Sequence, residues 1–275
     1  MTKQKALSQK EKCASFETLH RGETFIIPNP WDAGSAKILK GLGYKALATT
    51  SAGLAYTLGR ADGNVSLAEK EAHCKLLVTV TSIPINADFE NGFADDPETV
   101  AINVLKIAET GIAGCSIEDF SRDSKKIYDF NAAVDRIQAA AEAVASLDMP
   151  FQLTARAENL LRGVDNMDDT IKRLQAFESA GANVLYAPGL HQLSQLREVT
   201  SAVNKPFNVL APFFNKASIE DFSHAGTKRI SVGGALHYAA ISPLLSAAKE
   251  MMEHGTFAWL GNMAPGKEVA SLLSA

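Results

Sequence analysis

Residues 106–119 read KIAETGIAGCSIED, and this stretch sets the pattern that decides the fold. A helix-like apolar spacing ends at Gly111, and a short β-rich run follows within a few residues. Glycine suits the position after a helix because it accepts a left-handed backbone without strain. The same order recurs in residues 38–51, 177–189 and 223–234, with turn glycines Gly43, Gly181 and Gly226. The pattern predicts a repeated unit of helix, turn and strand.

Between these units, three further β-rich runs follow a proline instead of a glycine. They follow Pro84, Pro150 and Pro206, and proline suits the first residue of a strand because no ladder donor is lost there. Residues 24–32, TFIIPNPWD, supply an eighth strand, and helical patterns fill the gaps. We therefore predict an α/β fold, a (β/α)8 TIM-type barrel. The alternative is an open doubly wound sheet, which the lack of a GxGxxG or GxxxxGK[ST] phosphate loop disfavours.

Length, composition and charge restrict the organisation and the partners. The chain has 275 residues, which we expect to form one barrel domain with a short N-terminal helical extension and a C-terminal helical tail. Its 27 Lys and Arg against 31 Asp and Glu give a net charge of −4, so no basic field favours nucleic acid. No run approaches the roughly 20 apolar residues of a membrane span, and the first residues lack a secretory h-region. We predict a cytoplasmic protein without a membrane partner.

Polar residues cluster where the predicted strands end. In a barrel the catalytic groups come from the carboxyl ends of the strands and the loops that follow. The candidates in chain order are Asn29, Asp32, Thr49, Thr50, Ser51, Asn86, Asp88, Glu90, Glu118, Asp119, Arg156, Glu158, Asn159 and Asn208. The ends of the strands therefore predict an active site rather than a bare scaffold.

Carboxylates in this set predict a divalent cation. Asp88, Glu118 and Asp62 would repel one another at the barrel mouth unless a cation lay among them, and Mg²⁺ or Mn²⁺ prefers such oxygen ligands. Asn86 and Glu90 share a strand face with Asp88 and would contribute through water. The alternative is that Asp88 or Glu118 caps the next helix or pairs with Arg156.

Arg156 follows the apolar run FQLTA and suits bidentate binding of a substrate carboxylate. The alternative is an internal ion pair with Glu118 or Asp88. The six histidines show no ligand spacing and are interpreted as structural or surface residues. Cys74 and Cys115 lie within a predicted helix and a predicted strand, so we expect both to be packed in the interior.

Seven segments in register resemble the isocitrate lyase and phosphoenolpyruvate mutase superfamily. They read PNPWDAGSAKIL, ALATTSAGLAYTLGRADG, NADFENGFADDPETV, GCSIEDF, TARAEN, NVLYAPG and RISVGGAL. The resemblance covers nearly the whole predicted barrel. It implies an α/β barrel that often exchanges its last helix between the subunits of a homodimer or homotetramer, and the apolar residues 240–263 would suit that exchange.

The resemblance also implies roles for single residues. Thr50, Ser51 and Ala52 match a small-residue loop that holds the carboxylate and 2-oxo group of the substrate. Asp88 matches the principal Mg²⁺ ligand, Asp62 an acidic residue of the metal's water shell and Glu118 the acidic residue after the fourth strand. Arg156 matches the arginine that binds a substrate carboxylate. We list Thr50, Ser51 and Arg156 as catalytic candidates and add Asn208 to the substrate-binding set.

Three departures from the family pattern shape the predicted activity. Isocitrate and methylisocitrate lyases carry a Lys-Lys-Cys-Gly-His loop after the fourth strand, whereas residues 121–131, SRDSKKIYDFN, contain neither cysteine nor histidine. Asn86 replaces the first aspartate of an Asp-Ala-Asp motif, and Glu90 adds a carboxylate nearby. Tyr186 stands where lyases of larger tricarboxylates place a glutamate. The isocitrate lyase and methylisocitrate lyase activities are therefore disfavoured, and Tyr186 indicates a smaller substrate.

We predict a Mg²⁺-dependent lyase or decarboxylase that cleaves a C–C bond of a small 2-oxo or 2-hydroxy acid, oxaloacetate-like, through a pyruvate enolate. One alternative is C–P chemistry, as a phosphonopyruvate hydrolase or phosphoenolpyruvate mutase, with phosphate contacts from Arg122, Lys125, Lys126 and Asn131. A basic run in a loop is more often merely solvated. The other alternative is a barrel that binds a 2-oxo acid without catalysis.

Overall fold

Eight parallel strands form a nearly closed barrel in the computed structural model, which describes residues 7–274. The strands are β1 Phe25–Ile27, β2 Leu47–Ala48, β3 Ile85–Asp88, β4 Gly114–Glu118, β5 Gln152–Arg156, β6 Val184–Tyr186, β7 Phe207–Leu210 and β8 Arg229–Ser231. Neighbours pair in the order β1-β8-β7-β6-β5-β4-β3-β2. At the seam between β1 and β2, the Ala48 amide donates to the Pro28 carbonyl at 3.0 Å. The predicted (β/α)8 TIM-type barrel is confirmed.

Both predicted kinds of strand entry are present. Gly43, Gly111, Gly181 and Gly226 all have positive φ, as a turn after a helix requires. At Gly111 space adds a second requirement, because a Cβ would lie 2.9 Å from Cγ1 of Val78. The strands β3, β5 and β7 begin one or two residues after their prolines.

Helices alternate with the strands and cover the outside of the barrel. Their bounds are α1 Gln9–Arg21, α2 Ala33–Gly41, α3 Ser51–Thr57, α4 Leu67–Val80, α5 Pro97–Ala108, α6 Phe130–Ala145, α7 Met167–Ser179, α8 Leu193–Ser201, α9 Ile219–His224, α10 Ala235–His254 and α11 Gly266–Ser274. Two differ from expectation. Residues after β2 begin the helix α3, where we expected a loop, and α10 runs through Pro243, an interior helix position that proline disfavours. Proline has a helical φ, but it removes one backbone donor and crowds the carbonyl four residues earlier, so α10 includes Pro243 at a cost in stability.

The two termini pack differently on the barrel. Helix α1 buries Cys13 and Phe16 completely, so the N-terminal extension belongs to the core. Helix α11 packs against α2 of the same chain, where the Leu272 carbonyl oxygen would lie 2.7 Å from a Cβ at Gly41. Exchange of a C-terminal helix between subunits stays a prediction. No helix within residues 7–274 is both long and apolar enough to cross a membrane.

Candidate active site

A cavity of about 190 Å³ opens at the carboxyl ends of the strands, and we call it the central cavity. Nearly all of the predicted substrate and metal residues line it. These are Thr50, Ser51, Ala52, Asp62, Asn86, Asp88, Arg156 and Asn208. Glu90 and Glu118 line an adjoining space of about 230 Å³, the side cavity, which shares Ser51, Asp62 and Arg156 with the first. The strand ends thus bring the predicted residues together around two joined cavities.

Thr50 and Ser51 start helix α3 at the edge of the central cavity. The Thr50 hydroxyl accepts a hydrogen bond from the Gly53 amide at 3.2 Å, as an N-cap does. The Ser51 amide donates to Oδ2 of Asp88 at 3.0 Å. The Thr50 side chain therefore fixes the helix start, and the backbone at Ser51 reaches the predicted metal ligand.

A buried lysine that the sequence analysis did not select, Lys70, is linked to Asp88 through the Thr49 hydroxyl. The Thr49 hydroxyl accepts from the Asp88 amide at 2.9 Å and from the fully buried Lys70 ammonium at 3.1 Å. Burial alone would raise the pKa of Asp88, but the positive charges of Arg156 and Lys70 and the Ser51 amide together lower it. Asp88 is therefore an anion.

Arg156 lies among three carboxylates, with Nη1 2.9 Å from Asp88 and Nη2 3.2 Å from Glu118 and 2.8 Å from Glu158. Burial would lower the pKa of Arg156, and the three carboxylates raise it well above the ordinary value. Its guanidinium also stacks 5.1 Å from the Tyr186 ring centre. The internal ion pair that the sequence left open is present, so a substrate carboxylate must exchange with one of these partners.

Glu118 is a buried carboxylate close to a second carboxylate, that of Glu158. Burial, and then the neighbouring carboxylate of Glu158, raise the pKa of Glu118 well above its ordinary value. Arg162 partly compensates, with Nη2 3.4 Å from Glu118 and 3.1 Å from Glu158. Sequence reasoning missed Arg162, because residues 158–162 form a turn and not a helix, so no helical spacing points to the pair with Glu158.

Arg122 joins the loop after β4 to two other loops at the mouth. Its Nε lies 2.9 Å from the Glu90 carboxylate, and its guanidinium donates to the carbonyls of Gly63 and Val65. Burial raises the pKa of Glu90 to about 7, although Arg122 opposes this. Glu90 also has the left-handed φ of 48°, which is strained for a residue with a side chain. Arg122 is thus engaged by protein groups.

The remaining phosphate candidates separate by position. Lys125 lines the side cavity, whereas Lys126 is an exposed residue of the same loop. Asn131 lies in the first turn of α6 and is exposed. An antiparallel bridge between Phe120 and Ile127 closes the loop into a hairpin. Of these three residues, Lys125 is the one that lines the side cavity, together with Arg122 of the same loop.

Oxygen atoms at the central cavity fit the predicted Mg²⁺ or Mn²⁺. Among residues 7–274, no three His, Cys, Asp or Glu side chains are grouped closely enough to form a ready-made metal cluster. Mg²⁺ is usually held by one or two carboxylates and several waters, so it does not need one. Asp88 and Asp62 line the central cavity, and Oδ1 of Asn86 is buried there without a hydrogen-bond partner. These oxygens fit a cation that keeps most of its waters.

The prediction that Cys74 and Cys115 pack in the interior is confirmed. Cys13, Cys74 and Cys115 are free and buried, and burial raises the pKa of the Cys74 thiol to about 11. His20 and His73 are buried in helices, and burial lowers their pKa values to about 3 and about 4. These groups stay neutral near pH 7.

A parallel barrel whose strand ends place arginine and carboxylates around one cavity has the form of an α/β-barrel enzyme site. A family model described as phosphoenolpyruvate phosphomutase matches residues 16–252. The chain belongs to this family, within the isocitrate lyase and phosphoenolpyruvate mutase superfamily.

Three relatives show the range of the family around this chain. A solved structure from Burkholderia cenocepacia J2315, described provisionally as a lyase/mutase, is 44% identical with a TM-score of 0.93, and 97% of each chain is covered. The 2-methylisocitrate lyase of Escherichia coli K12 is 31% identical over 184 residues, 64% of this chain and 61% of the relative. The oxaloacetate decarboxylase of Pseudomonas putida GB-1 is 26% identical over 247 residues, 86% of this chain and 83% of the relative.

Proposed function

We propose that this protein is a divalent-cation-dependent lyase or decarboxylase that cleaves a C–C bond of a small 2-oxo or 2-hydroxy acid such as oxaloacetate. The observation that carries the proposal is the convergence of the Ser51 amide and the Arg156 guanidinium on the two oxygens of Asp88, at the wall of one cavity. Similarity to an oxaloacetate decarboxylase over most of both chains supports the same chemistry.

In the proposed reaction, the backbone from Thr50 to Ala52 holds the 2-oxo end of the acid, and Arg156 binds a carboxylate. A divalent cation would be held by Asp88, with Asp62 and Glu118 nearby, and would supply Lewis acidity and charge compensation. The bond from C3 to the departing carboxyl group breaks, and its electron pair forms the enolate of pyruvate. Preorganised dipoles in the cavity stabilise that charge as it develops.

Decarboxylation is consistent with a loop after β4 that has no cysteine to act as an acid. Carbon dioxide leaves without taking a proton, so the step needs no protein acid for the leaving group, and the enolate later takes a proton from water. Residues 120–131 contain no cysteine, and the three cysteines lie buried elsewhere. This arrangement supports decarboxylation, or cleavage with a leaving group that needs no thiol acid.

The test uses purified protein, treated with a chelator and then supplied with Mg²⁺ or Mn²⁺, and a panel of three- to six-carbon 2-oxo and 2-hydroxy acids. We expect pyruvate release from at least one acid, loss of that activity with the chelator and recovery with the metal. Asp88→Ala should abolish turnover, while Asp148→Ala, an exposed change in the loop before β5, should retain it. No turnover of any acid with metal present would refute the proposal.

A second candidate is cleavage or rearrangement of a C–P bond, and one observation favours it. Lys125 and Arg162 line the side cavity next to Arg156, where a phosphoryl group would find cations. Phosphorus NMR of the protein with phosphonopyruvate distinguishes the two functions. Conversion that Lys125→Ala reduces strongly and Lys126→Ala leaves intact would favour this candidate, and an unchanged spectrum would exclude it.

A further inference from the structure

The interior of the barrel below the mouth is polar. Such interiors are usually filled by branched aliphatic side chains. The buried polar residues here are Asn86, Ser116, Thr154, Asn208, Arg229 and Ser231. All of these except Thr154 also line the central cavity, so the cavity continues into the barrel. Arg229 starts β8 two residues before Ser231, which places its backbone roughly 6–7 Å deeper along the strand.

Arg229 is a buried cation whose partners are all neutral. It is 3% exposed, and its guanidinium donates to Asn208 Oδ1 at 2.7 Å and to Thr154 Oγ1 at 3.1 Å. The third partner, at 3.3 Å, is Nε2 of His20, which burial and the arginine itself keep neutral by lowering its pKa. Within residues 7–274, Arg229 forms no ion pair with a carboxylate.

An uncompensated buried charge is costly, and arginine is rarely fully buried without a counter-charge. Burial accordingly lowers the pKa of Arg229 to about 9, which still leaves the group charged at neutral pH. The mouth of the same cavity has the opposite character, because Arg156 meets three carboxylates there. The cavity is therefore polarised, with carboxylates around the upper end and a cation without a counter-ion at the inner end.

We propose that the inner end of the central cavity, at Arg229 and Asn208, binds one carboxylate of a small dicarboxylate. The inference rests on the proposed function and deepens it, because it assigns Arg229 as the residue that binds the second carboxylate of an oxaloacetate-like acid. The acid enters with one carboxylate toward Arg229 and presents its other end to Asp88 and Arg156. Arg229 is then a specificity-determining residue, since an acid lacking the second carboxylate leaves its charge uncompensated.

The competing explanation is that Arg229 only stabilises the fold. Its hydrogen bonds join α1 at His20, β5 at Thr154 and β7 at Asn208. Two variants separate the explanations. Arg229→Gln removes the charge, whereas Thr154→Val removes one neutral partner of Arg229 and keeps the charge. Calorimetry with malonate, a non-reacting dicarboxylate, measures affinity without turnover.

We expect Arg229→Gln to weaken malonate binding about 10- to 100-fold, the range for loss of a charge-assisted hydrogen bond. Thr154→Val should stay within about threefold of the unsubstituted protein. Equal affinity of Arg229→Gln and the unsubstituted protein would overturn the inference, as would an equal loss in both variants. Turnover of oxaloacetate is measured separately. If Arg229→Gln turns over oxaloacetate and binds malonate as tightly as the unsubstituted protein, this inference is wrong and the proposed function still stands.

If Arg229→Gln does not fold, the unsubstituted protein still provides the test. A crystal structure with malonate should show one carboxylate within hydrogen-bond distance of the Arg229 guanidinium. A malonate whose two carboxylates both lie at Arg156 and Ser51 would overturn the inference.

Discussion

Nη1 of Arg156 lies 2.9 Å from Oδ1 of Asp88, so the predicted substrate-binding cation and the predicted metal ligand hold each other. A cation that binds at Asp88 must compete with this ion pair, and a substrate carboxylate must replace one partner of the arginine. We therefore expect ligand binding to rearrange existing ion pairs rather than to fill an uncommitted site. A cation bound at Asp88 would free Arg156 for a substrate carboxylate, and a substrate carboxylate bound at Arg156 would free Asp88 for the cation. We therefore expect each to promote binding of the other.

Asp88→Asn should lower kcat/KM for the acid that proves to be the substrate by at least about 100-fold, because the metal's charge compensation is worth several kcal/mol. Arg156 keeps Glu118 and Glu158 as partners in this variant, so the thermal midpoint should change little. Steady-state kinetics and thermal unfolding check the two expectations.

The matched control is Asp148→Asn, whose carboxylate is almost fully exposed and pairs with Lys10 on the surface. Exposed pairs of this kind contribute little, so activity and stability should both stay near those of the unsubstituted protein. Equal kcat/KM in Asp88→Asn and the control would contradict the assignment of Asp88.

Arg122→Gln should loosen the loop after β4. The change leaves the buried Glu90 without its ion-pair partner and removes the bonds to the Gly63 and Val65 carbonyls. Removing one partner of a buried pair is strongly destabilising, so the local opening free energy should fall. Limited proteolysis and hydrogen exchange should show faster cleavage and exchange in residues 120–129.

Asp123→Asn, the next residue along, is the control for this experiment because Asp123 is exposed. Its exchange rates should match those of the unsubstituted protein. Unchanged protection in Arg122→Gln would show that the hairpin bridge of Phe120 and Ile127 holds the loop without the arginine.

Helix α10 and the segment after it present apolar side chains to solvent, which predicts association with a second copy of the chain. Leu244, Leu245, Met252 and Phe257 are all more than half exposed. Several large apolar side chains exposed on one segment are typical of an interface. Light scattering should find a dimer or tetramer, and Met252→Glu should shift it toward monomer. Gln138→Glu, the same charge change on the outer helix α6, should leave the mass unchanged; a monomeric unsubstituted protein would contradict the prediction.

The repeated turns made the barrel predictable, because Gly111 and Pro84 report local backbone requirements that a sequence displays directly. The residues at strand ends were predictable for the same reason, since a strand fixes where Asp88 and Arg156 point. The pairing among them was not, because it depends on distances across the barrel between residues far apart in sequence. Lys70 and Arg229 illustrate this. Each lies in an ordinary helix or strand pattern, and only the closed barrel brings Lys70 to Thr49 and Arg229 to the central cavity.

His73 should make the protein less stable in acid. Its Nε2 lies 2.9 Å from the Trp31 carbonyl, and burial first, then Lys70, lower its pKa from 6.5 to about 4. Between these two values the unfolded chain binds a proton that the folded chain does not, so the free energy of unfolding falls as the pH drops from about 6.5 to about 4. The stabilisation is complete above about pH 6.5, and its full loss corresponds to roughly 3 kcal/mol. His73→Gln, which cannot titrate, removes this component while the other groups titrate as before. Denaturant unfolding of both proteins at several pH values should therefore show a smaller loss in the variant, and identical pH dependence would mean that His73 becomes protonated without cost in the folded state.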